Sequence, residues 1–131
     1  MPTDCNDCPT DSDQEATVIG WGHTYTGGNF VDWLNKANVT MVNEYTCVQL
    51  FGYRWDNSMI CTIGKNNTNV CNGDSGGSLA VMKSDGSFAQ CGIASFRKAG
   101  SRCGETPTVF SKVCLVTDWI QSYIDQYLDS N

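Results

Sequence analysis

The residues best suited to chemistry lie in one short stretch, Asn69 to Leu79, which reads NVCNGDSGGSL. Ser75 stands between an Asn-Gly-Asp turn and a Gly-Gly pair, and Cys71 is placed to clamp the loop. A serine hydroxyl that attacks a carbonyl needs a tight turn flanked by residues without side chains, so that the substrate can approach. The backbone N–H groups of Gly73 and Ser75 can converge on one concavity and hold a developing oxyanion. The same run is also ordinary turn chemistry, since Asn-Gly followed by Asp-Ser-Gly-Gly connects strands in proteins that do no catalysis. What surrounds the loop decides between the two readings.

A chain of 131 residues suits one domain with a core of its own. Acidic residues exceed basic ones and the net charge is −6. No Lys/Arg cluster is present to neutralise phosphates, which excludes nucleic acid as a partner. No apolar run approaches a membrane span, and the first residues, MPTDCNDCPTDSDQE, are too polar for a signal peptide. Either a leader was removed with upstream sequence, or the sequence begins inside a longer precursor. Eight cysteines point to an oxidising compartment and hence to secretion. Cys5 and Cys8 form a CxxC, but no second pair or histidine cluster completes a zinc site, so no metal and no cofactor is expected. Glycosylation sequons at Asn38 and Asn66 agree with a secreted chain.

The elements that must position the loop read as β-structure. Residues 1–15, polar and rich in Asp, Ser and Pro, form a linker or strap, and 16–131 a single domain. Ala16 to Trp21, Trp33 to Val42 (with a register change), Ser58 to Ile63, Leu79 to Met82, Phe88 to Phe96 and Thr108 to Leu115 are the strand candidates. Ser84-Asp85-Gly86-Ser87 gives a strong hairpin signal, and Asn43 to Phe51 suits a short helix. Near the end Trp119, Ile120, Tyr123, Ile124, Tyr127 and Leu128 recur with helical period, a stripe predicted to pack into the core. Setting Ser95 near Phe110 in an antiparallel ladder brings Cys91 opposite Cys114, either as a cross-strand disulfide or as two buried thiols.

Further landmarks follow one another in order: GWG at Gly20 to Gly22, MIC at Met59 to Cys61, GDSGGSL, GIASF at Gly92 to Phe96, PTVFSKV at Pro107 to Val113 and DWIQSYI near the end. Together they resemble the second half of a chymotrypsin/trypsin-like serine protease, most similar to the elastase branch, from about Thr17 to Leu128. The resemblance implies an all-β fold, a six-stranded antiparallel Greek-key barrel closed by a C-terminal α-helix. It also implies disulfides between Cys47 and Cys61 and between Cys71 and Cys103, the second clamping a specificity pocket. A cysteine of the opening segment, Cys5 or Cys8, would tie to a propeptide or first barrel, unless the two close a local loop.

Roles carry over by position. Ser75 becomes the nucleophile, Gly73 and Ser75 the oxyanion donors, and Asp74 the carboxylate that pairs with a zymogen-derived N-terminal amine and shapes the turn. Without that cation the loop is expected to be disordered, rearranged or protonated, and Asp74 is otherwise an exposed turn residue. Asn69 matches the pocket base, which excludes a trypsin-type preference for Arg or Lys. Asn72, Ser95, Phe96, Arg97 and Thr108 line the substrate site. Thr108 should make the pocket shallow and suited to small or medium uncharged side chains, while Arg97 either recruits an acidic residue or is an exposed loop arginine.

A catalytic triad also needs a base and a carboxylate to orient it. The single histidine, His23, follows GWG and reads as a solvated loop side chain, and no aspartate matches the orienting position. Two functions therefore compete. The chain is the serine-bearing part of an endopeptidase, inactive alone and completed by an N-terminal barrel chain, acting on peptide or protein substrates and open to protease inhibitors. Alternatively it is a non-catalytic homologue that binds or regulates a protein. The intact serine motif favours the first.

Overall fold

A computed structural model describes residues 4–8, 14–64 and 69–128. Six antiparallel strands close a barrel: β1 (Glu15–Gly20), β2 (Asn35–Val42), β3 (Met59–Gly64), β4 (Ser78–Met82), β5 (Phe88–Arg97) and β6 (Thr108–Lys112). Their order around the barrel is β1-β2-β3-β6-β5-β4. β4 returns beside β1, which is the Greek-key arrangement. Helix α1 (Glu44–Phe51) links β2 to β3, and α2 (Thr117–Leu128) ends the described chain. The fold and the strands agree with the sequence reading, with two local differences. β2 begins at Asn35 and pairs without a register shift, leaving Trp33 and Leu34 exposed ahead of it. β6 stops at Lys112, and Val113–Val116 turn into a 3-10 helix.

Alternation of side chains fills the barrel. Ala16 and Val18 of β1, Val39 and Met41 of β2, Leu79 and Val81 of β4 and Phe110 of β6 point inward and are buried. A second cluster lies outside the barrel wall, where Cys47 and Phe51 of α1 pack on Cys61 and Val109. α1 is placed there by its caps: the Asn43 side chain accepts from the Thr46 N–H at 2.8 Å, and Gly52 at φ 57° turns the chain away at the other end. The β4–β5 hairpin closes where the sequence predicts. The Asp85 carboxylate accepts from the backbone N–H and hydroxyl of Ser87, which hold its pKa below the usual carboxylate range.

The cysteine pairing corrects the sequence reading. Cys91 is bonded to Cys8, and Cys114 to Cys5; Cys47–Cys61 and Cys71–Cys103 complete the set. Cys91 and Cys114 cannot face each other because the ladder runs one residue away from the expected register, with Ala94 opposite Phe110 and Gly92 opposite Lys112. Cys114 then falls in the 3-10 turn beyond the end of β6. Cys91 itself is skipped in the β4–β5 pairing, where Leu79 meets Gly92 and Ala80 meets Gln90. Cys5 and Cys8 therefore fasten the opening segment to this barrel, and neither is left to reach another chain.

The helix stripe is the second correction. No residue of α2 is buried, and Trp119 and Tyr127 are 64% and 61% exposed. The stripe follows the helical period, but it belongs to neither core cluster among the described residues. Of the two sequons, Asn38 is exposed on β2, while Asn66 lies outside the described residues.

The two strap bridges share most of their loops, because Cys5 and Cys8 are neighbours. With either bridge intact, the other closes a loop of roughly 26 residues, worth roughly 3–4 kcal/mol in the chain-entropy picture. Replacing Cys8 and Cys91, or Cys5 and Cys114, by alanine is expected to cost that much in urea unfolding. Replacing all four should cost more than the sum, because only then is the long loop released; simple additivity would contradict the shared-loop account.

Candidate active site

The serine loop runs from Cys71 to Gly77 between β3 and β4. Gly73 at φ 95° and Gly76 at φ 85° occupy the left-handed region on either side of Ser75, so the Gly-rich spelling is a backbone requirement. The turn is stitched to β5: the Gly76 N–H donates to the Ala94 carbonyl and the Ala94 N–H to the Gly77 carbonyl, both at 2.9 Å. Cys71–Cys103 anchors its start. Ser75 is exposed at the tip. Neither its own N–H nor that of Gly73 donates to another described residue. A free hydroxyl beside two unspent amides is what nucleophilic acyl transfer needs.

Asp74 shapes this turn from behind. Its Oδ1 accepts from the Gly22 N–H at 2.8 Å and its Oδ2 from the Cys71 N–H at 2.9 Å. The GWG motif is thereby explained: a Cβ on Gly20 would lie 1.8 Å from Asp74 Oδ1, and one on Gly22 2.6 Å from it. The carboxylate is half-buried and borders a cavity of about 310 Å³ that Ile19, Lys36 and His23 also line. Two backbone donors thus satisfy the carboxylate within the turn.

His23 also departs from expectation. It is half-buried, its backbone N–H donates to the Asn72 carbonyl at 2.8 Å, and its ring meets Phe30 edge-on at 4.6 Å. Phe30 in turn covers the serine turn: a Cβ on Gly73 would come 2.2 Å from its ring. His23 Nδ1 is buried and has no partner among the described residues. The ring braces the back of the loop and does not border the cleft at Ser75. Sequence gave no signal for Phe30, an aromatic in a loop of turn residues.

Beside Ser75 lies a cleft of about 60 Å³, where the structure brings together Asn72, Ser95, Phe96, Arg97 and Thr108. Ser95 sits at a bulge, skipped between the Ala94–Phe110 and Phe96–Val109 pairs. Phe96 is fixed by an edge-on contact with Phe51 at 5.6 Å, so α1 and Cys47–Cys61 support the cleft from outside. Arg97 is not a free loop arginine. Its Nη1 donates to Asn72 Oδ1 at 2.9 Å and its Nε to the Ser101 carbonyl at 3.1 Å, which lays the guanidinium across the mouth. No sequence pattern marks Ser101 as a partner of Arg97. Asn69 is not brought to this cleft: its amide donates to the Thr62 carbonyl at 3.1 Å, its Oδ1 accepts from the Val70 N–H, and it lines the larger cavity beside Asp74. Among the described residues no group of His, Cys, Asp and Glu is arranged to hold a metal ion.

The Trypsin family model matches residues 2–120. The chain belongs to the trypsin family. Among trypsin-family relatives it is 38% identical to bovine (Bos taurus) Proproteinase E over 110 residues, covering 82% of this chain and 43% of that protein. It is 36% identical to human (Homo sapiens) Chymotrypsin-like elastase family member 3B, again over 110 residues, covering 82% and 40%. Mouse neuropsin, a serine protease of known structure, superimposes with a TM-score of 0.76 at 32% identity, covering 88% of this chain and 50% of that one. Human heparin binding protein does so with a TM-score of 0.69 at 28% identity, covering 86% and 44%. The chain thus spans less than half the length of the curated trypsin-family relatives it matches.

Because a Cβ at position 20 collides with Asp74, Gly20→Ala should displace the carboxylate from Gly22 and weaken the serine turn. A loss of roughly 1–3 kcal/mol is expected in chemical denaturation. An unchanged unfolding midpoint would show that Asp74 does not depend on the bare glycine face.

Proposed function

We propose that this chain carries the nucleophile, oxyanion donors and specificity pocket of a secreted serine endopeptidase. In this reading Ser75 Oγ attacks the scissile carbonyl, and the Gly73 and Ser75 N–H groups hold the oxyanion. The amine leaves, an acyl ester on Ser75 remains, and water hydrolyses it. The histidine base and its orienting aspartate come from outside these 131 residues, in an N-terminal barrel, and the chain alone is inactive. The observation that carries the reading is the exposed Ser75 hydroxyl flanked by two unspent amides on a turn fixed by Asp74.

The surrounding features support it. The cavity beside Asp74 is large enough to admit an N-terminal amine released by zymogen cleavage, whose charge would join the two backbone donors on the carboxylate. Residues 1–15 connect the two barrels, and 16–131 form the second. The exposed stripe of Trp119, Tyr123 and Tyr127 offers the first barrel an apolar surface. Four disulfides support secretion. Substrates are peptides or proteins, and an inhibitor that mimics them would occupy the same cleft. The shallow cleft suits small or medium side chains, and Arg97 disfavours basic ones.

A second reading, a non-catalytic binding module, has one point in its favour: a protein named for binding, heparin binding protein, shares the fold. With a net charge of −6 this chain is poorly suited to a polyanion such as heparin. Intact mass after treatment with an organophosphonate separates the two. Ser75 should be labelled when the chain is joined to its N-terminal barrel, labelled little or not at all without it, and never in Ser75→Ala. No labelling under any condition would favour the binding module.

A further inference from the structure

We infer that the cleft beside Ser75 selects a short acidic side chain, aspartate above all, on the acyl side of the scissile bond, with Arg97 and Thr108 as the residues that read it. The inference rests on the proposed proteolytic function and names the substrate class of that same site.

Two groups in the cleft lack the partner that such a side chain would supply. Thr108 is 2% exposed, lines the cleft, and its Oγ1 is buried with no hydrogen-bond partner among the described residues. A buried hydroxyl left unpaired is destabilising, and it gains most from a ligand that brings a hydrogen-bonding oxygen to it. Arg97 lies at the mouth, and both of its acceptors, Asn72 Oδ1 and the Ser101 carbonyl, are neutral. No carboxylate pairs with it among the described residues, and its Nη2 hydrogens are unspent. The guanidinium is therefore pre-oriented by two hydrogen bonds yet electrically unmatched, which is the state in which a fixed fork binds a carboxylate with least ordering cost.

Competing side chains leave one of these groups unmet. An aliphatic group offers neither an acceptor to Thr108 nor a charge to Arg97, and a lysine or arginine would face Arg97 with like charge. An aromatic ring exceeds a cleft of about 60 Å³, which holds only a few water-sized groups. Asparagine supplies the acceptor without the charge, so the comparison of aspartate with asparagine isolates Arg97. Glutamate has the charge but is longer than so shallow a cleft favours.

The test uses the complete activated enzyme that contains this chain and peptides differing only at the acyl-side residue: Asp, Glu, Asn, Ala, Phe and Lys. Cleavage after Asp should exceed cleavage after Asn and Ala by about tenfold or more in kcat/KM. In Arg97→Gln the Asp to Asn ratio should fall to about one, with phosphonate labelling of Ser75 verifying that the variant is assembled. If Ser75 is labelled but the unmodified enzyme cleaves after Ala, Asn or Phe at least as well as after Asp, this inference is overturned and the protease reading stands. If no peptide is cleaved and Ser75 is never labelled, the protease reading fails and takes the inference with it.

Discussion

The site depends on one interaction, the grip of two backbone N–H groups on the Asp74 carboxylate. Gly22 donates to it from the loop after β1 and Cys71 from the start of the serine loop. Side chains at positions 20 and 22 would occupy the carboxylate's space, so the glycines of GWG are a consequence of where Asp74 must sit. Once Asp74 is held, the adjacent serine is forced outward and the amides of residues 73 and 75 are left unspent. Charge-assisted bonds of this kind are roughly twice as strong as neutral ones, enough to hold a turn that has two residues in the left-handed region.

The rest of the barrel holds the loop's neighbours in place. Both bulges fall where a residue must leave the ladder: Ser95 at the cleft, and Cys91 at the bridge to Cys8. Cys5 and Cys8, bonded to Cys114 and Cys91, fasten the start of the chain, and Cys8 joins the core. Helix α1 sets Phe51 against Phe96 and so supports the wall of the cleft. The cleft is lined by loops and strand ends, while the parts that fix them are buried strands and disulfides.

Much of this was legible in the sequence because it is local. The Gly and Asp pattern around Ser75, the Ser84–Ser87 hairpin and the short helix of Asn43 to Phe51 all state their geometry within a few residues, and the strands lie within a few positions of their observed ends. What was not legible depends on register or on distance. A one-residue shift between β5 and β6 takes Cys91 out of line with Cys114, and each is bonded instead to a cysteine far away in sequence. The helical period of Trp119 to Leu128 marks an apolar face and says nothing of what lies against it. Asn69 matches the pocket base by position, but its amide is spent on Thr62 and it does not line the cleft. Phe30 and His23 gave no sign that they pack behind Gly73, since contacts across a loop of turn residues have no period to betray them.

The most direct test of the account is amide hydrogen exchange in the protein and in Asp74→Ala. If the carboxylate organises the turn, the variant should lose protection at the Gly22 and Cys71 amides, and with them at Gly76, while Leu79 and Phe110 in the barrel keep theirs. Unchanged protection at Gly22, Cys71 and Gly76 would mean that the serine turn holds its shape without Asp74, and would contradict the account.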